Sequence, residues 1–439
     1  MKVNRRQFLK TSAVFAGWSI LPAGAWSNPL NSRFCTAHIG VGGMGWGDLR
    51  RVASHPSVQV VGLADVDRSR LNHETLNHFT DAARFADYRE MLRTLGDKVD
   101  GVVISTPDHT HYPATLMAMN MGKAVYCQKP LTHEIAEAYE LAALAKEKNL
   151  VTQMGIQLHS SSANLMTVAL LQQGIIGKVS KVYAWSNKSW GDDAAAYSGS
   201  DPIPEELDWN LWLGSASSRP YLNRKYHPAR WRQGLDFGCG TLGDMGVHIL
   251  DVPYAALKLA HPRSVKVTCR EPNHVSHPTK NIAEYEFPGT QYTTDTLQLT
   301  WFDGAYAPQT AGQINPDLEL EPGKTLPEQG AMYIGEDGHR LLLPHMSGPQ
   351  PLPRSLLTSV TKPQLKPTNH YHQWVDAGMG NGTCSADFEY SARLTTGVLL
   401  GVVGNRFPEQ TLQWEGEAMR FSNNEDANKL VSRSYRKDY

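Results

Sequence analysis

The chain has 439 residues, enough for two or three domains with a substantial core. Its 42 basic and 43 acidic side chains nearly cancel, and no basic run lies beyond the N-terminus, so there is no electrostatic case for nucleic acid. Eleven tryptophans in a chain of only 19% charged residues suit a carbohydrate better than a charged polymer. The five cysteines, Cys35, Cys127, Cys239, Cys269 and Cys384, are scattered, odd in number and without C-x-x-C spacing. They imply free thiols rather than a disulfide framework or a zinc site.

In chain order, Asn4-Arg5-Arg6-Gln7-Phe8-Leu9-Lys10 comes first, then an apolar run from Ala13 to Leu21 and then Ala23-Gly24-Ala25. This is the charged, apolar and small-residue order of a secretory signal. The run is too short to span a membrane. The paired arginines resemble a twin-arginine (Tat) export signal, which makes the Tat export machinery a partner and the periplasm, or another exported location, the destination. Residues 1–30 are therefore set apart as a signal peptide.

Phe34 to Val41 is an apolar strand running into Gly40-Val41-Gly42-Gly43-Met44-Gly45, a full G-x-G-x-x-G. A helix is expected from Gly47 to Ser54, and a second strand from Val58 to Ala64, ending at Asp65. Strand, glycine turn, helix and a later acid together specify a dinucleotide site. Gly40 permits the tight turn, Gly42 lets the backbone approach a pyrophosphate, and Gly45 lets helix and strand pack closely. Asp65 would bind the ribose hydroxyls and repel a 2′-phosphate, which favours NAD over NADP. Arg68 and Arg70 keep NADP as the alternative.

Helices over Asp87–Leu95, Tyr112–Gly122 and Ala136–Lys148 alternate with strands over Val99–Ser105, Lys123–Cys127 and Val151–Gly155. Such alternation means a parallel sheet, here a Rossmann domain over residues 31–156. Thr106, Pro107 and His109 follow one strand end and are expected at the cofactor, as are Gly43 and Met44 of the turn and Lys129. At another, Cys127-Gln128-Lys129-Pro130 presents a lysine, because Pro130 keeps Lys129 out of the helical region. That edge of an open α/β sheet is where ligands bind.

Beyond residue 156 the pattern changes. A helix over Ser162–Gln173 precedes β-type runs at Val179–Trp185, Ser264–Cys269, Ile282–Phe287 and Thr293–Trp301, and a hairpin at Tyr333–Leu343. These predict a second, α+β domain over residues 157–439 with a large, mostly antiparallel open sheet. Surface excursions at Ala307–Pro327 and His345–Pro367 interrupt it, and two helices, His370–Ala377 and Tyr390–Val403, are expected to close the chain. An aromatic-rich loop, about 187–240, holds Tyr226, Trp231 and Arg232 as candidate sugar contacts.

Gly238 to Asp251 carries the second chemical constellation. In a helix Asp244 and His248, at i and i+4, share a face, and Asp251 is placed to fix the histidine tautomer. Hydride transfer from a secondary alcohol needs a base for the hydroxyl proton and a cation for the developing alkoxide. His248 supplies the first and Lys129 the second, with Asp244 on a substrate hydroxyl or orienting the pair. No metal is required, and His109, His111 and His133 have no ligand spacing.

The glycine motif, Asp65, Lys129-Pro130 and the Asp244/His248 pair together resemble the Gfo/Idh/MocA oxidoreductase family. That resemblance implies an NAD(P)-dependent enzyme acting on a sugar, inositol or related polyol, with Lys129 as catalytic lysine, Asp244 as substrate-binding aspartate and His248 as base. It also implies a homo-oligomer and, by likeness to glucose–fructose oxidoreductase, export with tightly bound cofactor. The family's acid before the lysine is Gln128 here, which removes a charge beside Lys129. Related enzymes use bound NAD to cleave glycosides by transient oxidation and elimination, a rival reading. A non-catalytic sugar-binding protein is a third, disfavoured by the intact Lys129, Asp244 and His248.

Overall fold

A computed structural model describes residues 33–437 except 195, 315–319, 321–324, 359 and 362. The expected signal peptide lies outside them. Strands β1 (Phe34–Ile39), β2 (Val58–Ala64), β3 (Ala83–Phe85), β4 (Gly101–Ile104), β5 (Ala124–Gln128) and β6 (Thr152–Gly155) form one sheet in the order β3-β2-β1-β4-β5-β6. Every pairing in it is parallel. Buried on both faces, these strands read as continuous apolar runs rather than alternations. The three-residue β3 was not anticipated, being too short to show a period.

Helix α1 (Met44–Ala53) starts inside the glycine motif, three residues before the expected Gly47. Helices α2 (Tyr88–Leu95), α3 (His111–Asn120) and α4 (Ile135–Glu147) cover the sheet. The Asp87 side chain caps α2 by accepting from the Arg89 amide. Strand order reverses between β1 and β4, so a crevice opens at their carboxyl ends.

Helix α5 (Ser162–Gln172) leads into the second domain. There β7 (Val179–Ser186), β8 (Ser264–Thr268), β9 (Ile282–Pro288), β10 (Thr293–Asp303), β11 (Gln329–Gly335), β12 (Arg340–Pro344) and β13 (Gln350–Leu352) belong to a nine-stranded sheet. Its pairings are antiparallel except that of β7 with β10. Helix α6 (Val247–Leu257) packs against α5 and β7. The closing helices α7 (His370–Gly378) and α8 (Phe388–Gly404) are present, but they do not end the fold. Strands β14 (Thr411–Glu415) and β15 (Arg420–Phe421) follow and complete the sheet beside β8. In β14 the exposed and buried positions alternate, the mark of a strand with one wet face.

The aromatic-rich loop is not a loose excursion. Trp209, Trp212, Tyr221, Tyr226 and Phe237 form a buried cluster of their own. It docks on the Rossmann domain through Arg68 N to Glu206 O at 2.8 Å and Asp208 N to Val66 O at 2.9 Å. The loop thereby roofs the crevice.

Candidate active site

A cavity of about 400 Å³ runs from the glycine turn to the second domain. At one end it is lined by Gly40, Gly42, Gly43, Met44 and Asp65, and at the other by Lys129, Lys188, Trp231, Arg232, Asp244 and His248. Thr106 and Pro107 lie along its wall.

The nucleotide end is made by backbone. Gly40 (φ 80°) and Gly43 (φ 55°) occupy conformations that disfavour side chains. Gly45 does not line the cavity; a Cβ there would collide with the Gly40 carbonyl, so it sets how closely α1 approaches the turn. Asp65 is oriented by two amides: Val41 N donates to Oδ2 at 2.9 Å and Asp67 N to Oδ1 at 3.0 Å. The turn, the free amides of a helix N-terminus and a fixed carboxylate one strand away fit a dinucleotide's pyrophosphate and ribose. Both nearby arginines are engaged. Arg68 donates to the Glu205 carbonyl at 2.8 Å, and Arg70 lies over Gly42 while donating to Asp67 at 3.2 Å.

The other end is made by side chains from three distant segments. Lys129 follows β5, and its peptide bond to Pro130 is cis. Its Nζ donates to Asp244 Oδ1 and to the Asp244 carbonyl, both at 2.8 Å. Arg232 Nε reaches the same Oδ1 at 3.1 Å. The lysine and aspartate side chains are only 10% and 11% exposed, so this pairing is poorly screened. Burial works against the Asp244 charge, but Lys129 and Arg232 outweigh it and hold its pKa well below the usual carboxylate range.

Asp244 and His248 do not sit on a plain α-helix. Leu242–Gly246 is a π turn that feeds directly into α6. Such turns occur often at functional sites. His248 lines the cavity, and its Nδ1 is buried without a hydrogen-bond partner among the described residues. Asp251 does not orient it. That carboxylate is instead bound by His159 Nδ1 at 2.8 Å and by the Tyr390 hydroxyl at 2.5 Å. Nor is the histidine's pKa near neutrality: burial, then Lys129, push it well below the usual value. His248 is therefore neutral at pH 7 and able to accept a proton.

Two more of the expected residues do not line the cavity. His109 is fully buried, its Nε2 3.1 Å from the Trp212 carbonyl and its ring against Trp212 and Phe237, away from the cavity. Tyr226 packs in the same aromatic cluster, 4% exposed. Apolar neighbours claimed both rings. Trp231 does line the cavity, but the Arg232 guanidinium sits 4.3 Å from its ring centre and 5.2 Å from that of Trp190.

Gln128 is explained by a residue the motif reading passed over. Its Nε2 donates to Asp48 Oδ2 at 2.9 Å. The buried Asp48 also accepts from Ser105 Oγ at 2.7 Å and from the Tyr371 hydroxyl at 3.1 Å. Burial raises its pKa to about 6 despite these donors. An acid at 128 would set a second carboxylate against it. Lys129 does not lack a carboxylate either, since Asp244 supplies one.

Two further histidines matter. His111 ties the loops after β4 and β5 together, with Nε2 at 2.9 Å from the Thr106 carbonyl and Nδ1 at 2.8 Å from the Pro130 carbonyl. Burial opposes its charge, but Cys127, Asp108 and the Pro130 carbonyl outweigh that and hold its pKa at about 9. Two carbonyl acceptors require both ring nitrogens to carry protons. His227 Nε2 donates to Asp67 Oδ2 at 2.8 Å, and its Nδ1 accepts from Trp212 Nε1 at 3.2 Å, which clasps the roof to the nucleotide end. Apart from Thr106 and His111, five residues apart, these pairs are too distant in sequence to leave a local signal.

Known proteins resemble this architecture. Residues 34–156 match the model described as oxidoreductase family, NAD-binding Rossmann fold, and residues 163–289 match that family's C-terminal alpha/beta domain. An inositol 2-dehydrogenase of Gluconacetobacter diazotrophicus is 29% identical over 180 residues, 40% of this chain and 52% of that one. A glycosyl hydrolase family 109 protein of Shewanella pealeana is 24% identical over 206 residues, 41% of this chain and 45% of that one. The chain thus spans about half the length of these two curated relatives. Among solved structures, an inositol dehydrogenase homolog from Azotobacter vinelandii, complexed with NADH and myo-inositol, superposes with a TM-score of 0.57. It is 15% identical, with 87% of this chain and 98% of that one covered, a likeness of fold.

Proposed function

Because the chain belongs to the Gfo/Idh/MocA oxidoreductase family, we propose that it moves a hydride between NAD and a secondary hydroxyl of a sugar, polyol or glycoside. The observation that carries this is the convergence of Lys129, Asp244 and His248 on the same cavity as the glycine turn and Asp65. Bound NAD supplies the hydride acceptor or donor. The turn at Gly40–Gly43 and the start of α1 hold its pyrophosphate, and Asp65 its ribose. NAD is favoured over NADP because the Asp65 carboxylate would repel a 2′-phosphate; Arg70, which lies over Gly42 in the same cavity and pairs with Asp67, keeps NADP as the alternative. His248, neutral at pH 7, takes the hydroxyl proton. Lys129, steadied by Asp244, donates to the oxygen as charge develops on it.

A second reading is a glycosidase that oxidises a sugar hydroxyl, eliminates the aglycone and reduces the product again. Likeness to the family 109 glycosyl hydrolase supports it. The twin arginines support export, and a closed redox cycle suits a compartment without a free NAD pool. Replacing Arg5 and Arg6 with lysine should leave the protein in the cytoplasmic fraction.

The experiment has two steps. Denatured protein should release NAD(H); if it releases none and binds none, both redox readings fail. Panels of sugars and glycosides then separate them. A net absorbance change at the NADH band marks the dehydrogenase, and aglycone release without net cofactor change marks the glycosidase. The rate profile carries its own check. Because the His248 pKa is lowered, kcat/KM should hold as pH falls to about 6.5 and decline only below it. An acid limb centred above that value would remove His248 as the base.

A further inference from the structure

The substrate end of the cavity holds more positive charge than its acids neutralise. Asp244 is shared between Lys129 and Arg232 through one oxygen. Asp108, also on the cavity wall, accepts from the Cys239 amide at 3.1 Å and lies in the field of the charged His111. Lys188 remains. It follows β7, lines the cavity and points its Nζ at the Met245 sulfur, 3.4 Å away. A thioether is a weak acceptor. Among the described residues no carboxylate forms an ion pair with Lys188. The surplus charge is felt nearby. His345 packs on His248 with ring centres 6.1 Å apart, and its pKa is lowered to about 4 by burial, then by Lys188 and Lys129.

Lys188 is exposed where it lines the cavity, so water solvates it in the open site; a neutral sugar seated over it would displace that water without offering a counter-charge. We propose that the substrate is a sugar bearing an oxyanion, a carboxylate or a phosphate ester, and that Lys188 receives it with Arg232 beside it. This deepens the hydride-transfer reading by naming the substrate class, and it rests on that reading for the chemistry at the carbinol carbon. Lys188 is on the open side of the site while Lys129 is enclosed with Asp244, so one cation is free to select the anion as the other serves the reacting hydroxyl. The selection works as specificity does elsewhere: a charged partner with no internal match rejects the analogue that lacks the charge.

Calorimetric titration of the purified, cofactor-loaded protein tests this through binding alone. The probes are D-glucose, D-galactose and D-mannose, each with its uronate and its 6-phosphate. In at least one set an anionic member should bind about tenfold or more tightly than its neutral parent, the worth of one charge-assisted hydrogen bond. A uronate ahead of the 6-phosphate assigns the carboxylate, and the reverse order assigns the phosphate ester. In the Lys188→Gln protein that preference should fall toward unity. Equal affinities in every set, or a preference that Lys188→Gln leaves unchanged, overturns the proposal. Protein that holds no NAD(H) would sink the hydride-transfer reading instead, a separate measurement.

Discussion

At the nucleotide end of the cavity the backbone does the holding, and at the substrate end side chains do. The glycine turn, the start of α1 and Asp65 lie within 26 residues of one another and fold as one strand–turn–helix–strand unit. The cluster at the other end joins Lys129, Arg232, Asp244 and His248 across more than a hundred residues. Its ion pair forms only once the domains have met. Local conformation alone can prepare a pyrophosphate cradle, whereas a proton-transfer site needs charges that no local segment can bring together.

The two ends should therefore fail separately. The largest effect is expected of Lys129→Ala. It removes the cation for the developing alkoxide and leaves Asp244 to Arg232, so kcat should drop about a thousandfold. NAD(H) recovered from denatured protein should match the wild type, because no nucleotide-end contact is touched. Loss of cofactor together with activity would show that the ends are not independent.

This division also explains what was legible in the sequence. Five of the six strands of the parallel sheet were, because each is an apolar run with glycine or proline close by; the three-residue β3 was not. The glycine turn and Asp65 were, because their spacing is local. Lys129 was marked by the proline after it. The partners were not. Asp251 lies three residues past His248 and looked like its orienting acid, yet it bonds His159 and Tyr390, 92 and 139 residues away. His109 and Tyr226 have the residue types of ligand contacts, but the aromatic cluster of the roof enclosed them. Strand β15 has only two residues and no period to show, whereas β14 does alternate, as Thr411-Leu412-Gln413-Trp414-Glu415, over a run too brief to mark a strand by itself.

His111 tests the join between the loops after β4 and β5. Its folded pKa of about 9 exceeds an unfolded value of about 6.5. The stability it contributes is therefore fully present below about pH 6.5 and lost as pH rises through about 9. His111→Gln should cost about 2 kcal/mol near pH 6, the scale of a hydrogen bond to a charged group. The gap between wild type and variant in denaturant midpoints should close by pH 10. A gap constant from pH 6 to 10 would mean the ring is not charged in the fold.

The smallest effect belongs to Gln128, where the resemblance sets an acid, and it probes whether the substrate end can be rewired. Gln128 Oε1 accepts from the Lys129 amide at 3.2 Å while its Nε2 donates to Asp48. Glutamate keeps the first bond and turns the second into a clash of carboxylates. One of the two acids must then take up a proton or move. Gln128→Glu alone, and Asp48→Asn alone, should each lose about 1 to 2 kcal/mol. The double variant reverses the pair, with an amide at 48 donating to a carboxylate at 128, and should recover about half of the summed loss as interaction energy. Strict additivity in urea melts would mean that glutamine is at 128 for a reason other than Asp48. Recovery would show that Gln128 and Asp48 act as a pair, with Asp244 the carboxylate that Lys129 touches.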